Sequence, residues 1–350
     1  MAMPLARLLA VTLLIAIQAP SPFAAQIASL SEPGGYFDTD NLISNESSYL
    51  QVVPELETRK VHGGAYIGVG PDQNFSYIAA VRPSIAFILD VRRDNLLLHL
   101  LFKALFASSR TRVEYLAQLT GRAVPGDLES WRAAPIDRLV AYIDGAPVRG
   151  VEPLRHSLDA AIAATGVPLS AQDRATIDRF HRRFIAEGLS LRFQSTGRPP
   201  QYYNPAYRDL LIDRDASGHQ RNYLASEDAF QFVKQLQARD LVIPVTGDLS
   251  GPSALVGIGK TLAARNEHVS AFYVSNVEFY LFRGGTFPKF AANLAHLPHA
   301  PNALLIRSIF GRVTAAARPG DSSVSRLQGI DELLHEYDAG RIRQYADVVR

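Results

Sequence analysis

Two glycines, a run of carboxylates and one amide carry the chemical possibilities of this chain. Gly68-Val69-Gly70-Pro71-Asp72-Gln73-Asn74 follows an apolar run, and a second apolar run, Ile85 to Leu89, ends in Asp90. Glycines at 68 and 70 allow a tight backbone turn and let a ligand approach without a Cβ in the way. Asn74 opens a short helix whose free N–H groups would face that ligand, with Asp72 beside it. An acid about 20 residues past such a turn is where βαβ units hydrogen-bond a ribose. Gly247-Asp248 and Ser275-Asn276-Val277-Glu278 end two further apolar runs. Asn276 and Glu278 have the chemistry to orient an acceptor group or take its proton. A tight turn, with Asp90 capping the next helix and Ser275 or Asn276 capping another, accounts for the same residues without a ligand.

The elements that would position these groups read as an α/β chain. Val61–Val69, Ile85–Val91, Leu241–Val245, Val269–Val274 and Ala303–Ile309 are predicted strands. Their continuous apolar character suits parallel strands buried on both faces. Helices are predicted at Asn74–Val81, Asp94–Ser108, Glu227–Arg239, Pro252–Arg265 and Ile330–Tyr337. Alternation of this kind argues for a doubly wound, mostly parallel sheet. Between the second and third strands, residues 110–225 have helical texture punctuated by Gly and Pro, too long for a loop. We expect a helical insertion lying over the carboxyl ends of the strands. The expected division is a signal peptide at 1–25, a lead-in at 26–60, the first half of the sheet domain at 61–109, the insertion, and the second half at 226–350.

These landmarks resemble the class I S-adenosylmethionine-dependent methyltransferases. They are Gly68-Val-Gly70 after the first strand, Asp90 ending the second, Gly247-Asp248 after the third and Ser275-Asn-Val-Glu278 ending the fourth. Gly64–Phe106 and Val245–Phe282 also resemble a group of bacterial proteins of unassigned activity that share a G-V-G-P-D-Q-N motif. The resemblance implies a Rossmann-like fold and S-adenosylmethionine as cofactor. It further implies that the glycines pass the methionine part, Asp90 takes the ribose hydroxyls, Asp248 lies near the adenine, and Ser275 and its neighbours border cofactor and acceptor. Methyl transfer to a small or lipid-like acceptor is the implied activity. An exported ligand-binding protein that keeps the fold without the chemistry is the alternative. Asp72 stands where the family has a third glycine. A carboxylate there opposes a phosphate and suits an ammonium or hydroxyl group. The dinucleotide fingerprint G-x-G-x-x-G fails at Gln73.

Composition narrows the field further. A formal net charge of +2 over 350 residues gives no broad electrostatic basis for nucleic-acid binding. The absence of cysteine excludes disulfides, thiolate metal sites, a Cys nucleophile and a lipobox-type anchor. The nine histidines show no metal-ligating spacing, and no G-x-S-x-G elbow occurs. Gly257-Ile-Gly-Lys-Thr261 lacks the leading glycine of a phosphate loop. Arg7, the apolar block Leu8–Ile17 and the small residues to Ala25 predict a secretory signal. An uncleaved anchor or a start codon placed too early are the other readings of that segment. No later segment is long and charge-free enough to predict a membrane span.

Overall fold

The computed structural model describes residues 20–149, 152–199, 201–311, 318 and 320–349. Six strands form one mixed sheet: β1 Ala65–Gly68, β2 Ile85–Asp90, β3 Val242–Thr246, β4 Val269–Ser275, β5 His299–Phe310 and β6 Ser323–Gly329. Their spatial order is β3-β2-β1-β4-β5-β6. The first five run parallel, and β6 pairs antiparallel with β5. The apolar runs explain the centre of the sheet. Ala65, Tyr66, Ile67 and the whole of Ile85–Leu89 are completely buried, as strands covered by helices on both faces must be. β6 was not foreseen: Ser323-Val-Ser-Arg-Leu-Gln-Gly329 has only two large apolar residues, Val324 and Leu327, which suits an edge strand but leaves little apolar signal. β1 begins only at Ala65, after the Gly63-Gly64 turn, rather than at Val61.

From β1 the chain steps outward to β2 and β3, then returns to lay β4 on the other side of β1. The order therefore reverses between β1 and β4. In open α/β sheets a crevice forms at that switch point, beyond the carboxyl ends of the strands. Register fixes what meets there. Gly68 lies beside Ile88 of β2 and Tyr273 of β4, and Asp90 lies beside Thr246 of β3.

The helix Arg93–Ser108 is apolar nearly all round because it is covered on nearly all sides. One side packs on β2 and β3, and helices Glu152–Ala164 and Ala171–Glu187 of the insertion pack on it from outside. Ser170 and Asp173 form a capping box that starts the second of these helices. The Asp173 carboxylate also receives two 2.9 Å bonds from Arg93. That guanidinium holds the Asp173 carboxyl at about 2, below the usual range. The bulk of the insertion is thus docked beside the sheet layer. Its residues Phe193, Ser195, Arg198, Gln201, Tyr203 and Asn204 line the crevice at the strand ends.

Most of the expected signal segment lies outside the described residues. The expected boundary at Ala25 falls inside the helix Pro22–Leu30. Phe23, Ala24, Ile27 and Leu30 of that helix are buried, and it packs on β3 and on the helix Ala254–Ala264. Ser21 caps it, bonds the Thr165 carbonyl at 2.5 Å and so ties it to the insertion. No helix of the described residues is long and apolar enough to cross a membrane.

Candidate functional site

A cleft of about 1200 Å³ opens at the switch point. Gly70 comes to it from the end of β1, Asp90 from β2, Gly247 and Asp248 from β3, and Ser275 and Asn276 from β4. Four segments that are far apart in sequence thus converge on one crevice. Its volume exceeds the roughly 300–1,000 Å³ of most small-molecule sites. A wall over the cleft comes from the lead-in loop, including Tyr36, Phe37 and Glu46.

The glycine turn is built from within. Asn74 is fully buried, and its amide nitrogen donates to the carbonyls of Val69 (2.8 Å), Gly70 (3.3 Å) and Pro71 (2.8 Å). Its oxygen accepts from the Tyr66 hydroxyl at 2.8 Å. A Cβ on Gly68 would lie 1.9 Å from that same Asn74 oxygen. Gly68 is therefore glycine to admit Asn74, not a ligand, and neither residue lines the cleft. Gly70 does line it, with a left-handed φ of +81° that favours glycine. Beneath the turn, His99 Nε2 bonds the Gly70 carbonyl at 2.9 Å. Burial pushes the His99 pKa down to about 4, so the ring is neutral and Nε2 carries the proton.

Asp72 is also placed differently from the expectation. Its side chain points under the turn, away from the cleft, and accepts from Tyr207 (2.7 Å) and Tyr223 (3.2 Å) of the insertion. Burial raises its pKa to about 6, against the lowering effect of the two phenols. It joins the glycine turn to the insertion and meets no ligand. Glu278 is corrected as well. It is 1% exposed and forms a two-pronged ion pair with Arg307 of β5, at 2.7 and 3.1 Å. It does not line the cleft and is not placed to take a proton from anything in it.

Asp90 faces the cleft, but not as a lone carboxylate. The Arg92 backbone N–H donates to its Oδ1 at 2.9 Å, and the Arg92 guanidinium reaches both oxygens at 3.3 Å. Arg92 also donates to the carbonyls of Thr39 and Asp40 in the lead-in loop. Each carboxylate oxygen accepts more than one bond, so Asp90 keeps acceptor capacity toward the cleft. Asp248 closes its own turn, taking bonds from Ser250 N (2.7 Å) and Oγ (2.8 Å). That turn is held by Glu32, which accepts from the N–H groups of Asp248, Ser253 and Ala254. Burial works against ionisation of Glu32, but the three amides and the Ser253 hydroxyl together outweigh it and lower its pKa. A carboxylate of the chain itself thus occupies the amino-terminal end of the helix Ala254–Ala264.

At the end of β4, Ser275 sits at φ +51°, a left-handed conformation uncommon outside glycine. Strain of this kind persists only where the surroundings over-determine it. Here its hydroxyl donates to Glu46, whose other carboxylate oxygen takes the Ser308 hydroxyl. Asn276 follows at the amino-terminal cap of the helix Val277–Arg283, without making a capping bond. Its side chain is left to the cleft and to the Tyr280 hydroxyl.

Glu46 and Glu32 are the functional-looking carboxylates that sequence reasoning missed. Both lie in a polar lead-in, and nothing in Ser44-Asn-Glu-Ser-Ser48 marks one residue for burial. The serines are a faint signal after the fact: Ser48 bonds Ser323 and Ser325 and zips the lead-in onto β6. Among the described residues no group of three or more His, Asp or Glu side chains is gathered as a metal site.

Fold and cleft together define an α/β protein with a mixed, mostly parallel six-stranded sheet and a ligand-sized crevice at its switch point. The chain belongs to the family described as a domain of unknown function, DUF7790, which matches residues 41–125 and 195–338. The matched residues include all six strands, Asp90, Asp248, Ser275 and Glu46. The intervening residues 126–194, which hold the helices docked outside Arg93–Ser108, are not matched. No curated protein matches the chain.

Proposed function

We propose that the cleft binds S-adenosylmethionine and that the protein is a methyltransferase-like enzyme acting on a second small molecule in the same cleft. One observation carries the reading. Gly70, Asp90, Asp248 and Ser275-Asn276, each from a different strand end, line a single crevice at the switch point of the sheet. Supporting residues would divide the work. Gly70 leaves space beside the turn, Asp90 would accept from ribose hydroxyls, and Asp248 and Leu249 would border a base. Asn276 would orient the acceptor. Transfer from a sulfonium needs mainly alignment of the nucleophile, which a walled cleft supplies. The test is calorimetry with S-adenosylmethionine, followed by a labelled-methyl screen of acceptors. Absence of any binding heat ends the cofactor reading.

A second reading, an exported ligand-binding protein without turnover, is favoured by two ion pairs. Arg92 engages Asp90, and Arg307 neutralises Glu278, which removes the proton acceptor expected from the sequence. A cytoplasmic cofactor would also be scarce after export. Binding heat without methyl transfer, together with a processed amino terminus on the fractionated protein, would support this second reading.

A further inference from the structure

Glu46 is a carboxyl group with an uncommon set of neighbours. It is 1% exposed, at the floor of the cleft wall. The groups that bond it are hydroxyls of Ser275, Ser308 and Tyr273, and none is a cation. Burying a carboxyl without a counter-charge raises its affinity for a proton, so an ionised Glu46 is a stronger proton acceptor than an exposed glutamate; burial raises the Glu46 pKa while the three hydroxyls lower it. The ionisable groups around it are the phenols of Tyr66, Tyr77 and Tyr273. Burial pushes all three well above their ordinary values, so they stay protonated near neutral pH. Glu46 is then the group in this nest that exchanges a proton. Glu46 and Ser275 both line the cleft, and the Ser275 hydroxyl, at the left-handed turn that ends β4, donates to Glu46.

The walls beside Ser275 are aromatic. Phe37 meets the edge of Tyr280 with ring centres 4.9 Å apart. Tyr36 and Tyr203 line the same cleft while 78% and 57% exposed. Exposed rings at a cleft mouth offer flat faces to a flat ligand.

We propose that the β4 end of the cleft is a subsite for a hydroxyl-bearing ring compound, and that Glu46, acting through Ser275, accepts the hydroxyl proton. The ligand O–H proton passes to Ser275 Oγ as the Ser275 proton passes to the Glu46 carboxylate. The products are a ligand oxyanion and a neutral Glu46 carboxyl, with no other reactant. Glu46 is a positioning and proton-storing residue, and Ser275 is the group that touches the ligand. The inference rests on the cleft being a ligand site, as proposed above, but not on the identity of the cofactor.

The probe is 4-nitrophenol, whose phenolate form absorbs in the visible. It is titrated with the full chain at a pH below its solution pKa. The wild type is expected to show a bound phenolate fraction on the order of tenfold above that of the free probe, equivalent to one pKa unit. Glu46→Gln is expected to bind the probe and lose the phenolate band. Glu46→Asp is expected to recover part of it. Ser275→Ala keeps Glu46 and a Cβ at the same backbone conformation, and is expected to lose the band too; it carries the test if the Glu46 variants do not fold. An undiminished band in Glu46→Gln or Ser275→Ala, or no binding of the probe by wild type, overturns the proposal. Calorimetry with S-adenosylhomocysteine on the same samples separates the two readings. No heat with the phenolate band intact removes the cofactor and leaves the subsite. Heat without probe binding removes the subsite and leaves the cofactor.

Discussion

The guanidinium of Arg92 lies against the carboxylate of Asp90, two residues earlier, with 3.3 Å contacts to both oxygens. The same guanidinium holds the Thr39 and Asp40 carbonyls, so the acid at the end of β2 is coupled to the loop that walls the cleft. A ribose at Asp90 must share the carboxylate with Arg92. Hydrogen bonds to charged groups contribute roughly 1.5–3 kcal/mol. Asp90→Asn should therefore weaken S-adenosylmethionine binding by roughly tenfold to a hundredfold, read by calorimetry. An unchanged dissociation constant would show that the nucleoside, if bound, lies elsewhere.

Gly68 and Asn74 form one unit. A methyl group at 68 would sit 1.9 Å from the Asn74 oxygen, with Tyr66 also within 2.7 Å. Gly68→Ala should destabilise the fold by roughly 1–3 kcal/mol through overpacking. Asn74→Ala takes the side-chain donor from the Val69 carbonyl and the acceptor from the Tyr66 hydroxyl, leaves the Gly70 carbonyl to His99 and the Pro71 carbonyl to a 3.4 Å backbone bond, and should cost at least as much. The double variant should lose less than the sum of the two, because removing Asn74 clears the space. Urea unfolding of the three variants measures this, and strict additivity would contradict the packing account.

The Glu278–Arg307 pair separates stability from chemistry. Removing one member of a buried pair typically costs about 3–5 kcal/mol because the other charge is left uncompensated. Glu278→Gln should lower the unfolding midpoint sharply. At a temperature where it remains folded, ligand affinity should match the wild type. A selective loss of turnover in a well-folded Glu278→Gln would restore the catalytic role that the ion pair argues against.

Asp72 and His99 give opposite pH slopes. Asp72 titrates at about 6 when folded, against 3.8 for an ordinary aspartate. The folded state binds more protons in that window. Its contribution is fully present below about 3.8 and is lost as pH rises through about 6. His99 is depressed from 6.5 to about 4. Its contribution is present above 6.5 and lost as pH falls through about 4. The two oppose each other between about 4 and 6, and the wild-type profile should be shallow there. Asp72→Asn keeps the shape and removes one titration. It should be more stable than wild type well above pH 6, on the order of 2–3 kcal/mol at about 1.4 kcal/mol per pKa unit. It should also expose the His99 slope. Chemical denaturation across pH measures both, and a variant that parallels the wild type at all pH values contradicts the assignment.

The sequence by itself determined the five parallel strands and the polar residues that follow their carboxyl ends. Runs such as Ile85–Leu89 are continuous enough that burial on both faces is the economical reading, and Asp90, Asp248 and Ser275 fall at strand ends by simple counting. Only the tertiary structure decided which polar groups face the cleft. A motif such as Gly-Val-Gly-Pro-Asp-Gln-Asn has no inside or outside until the turn is folded, and then Gly70 faces out while Asp72 and Asn74 point in. Whether a carboxylate is free depends on cations supplied from elsewhere, as Arg307 is to Glu278, 29 residues away. Glu46 lies 229 residues before Ser275, in a stretch with no periodicity. Its burial is a property of where the lead-in is laid across β4, β5 and β6, which no local pattern encodes.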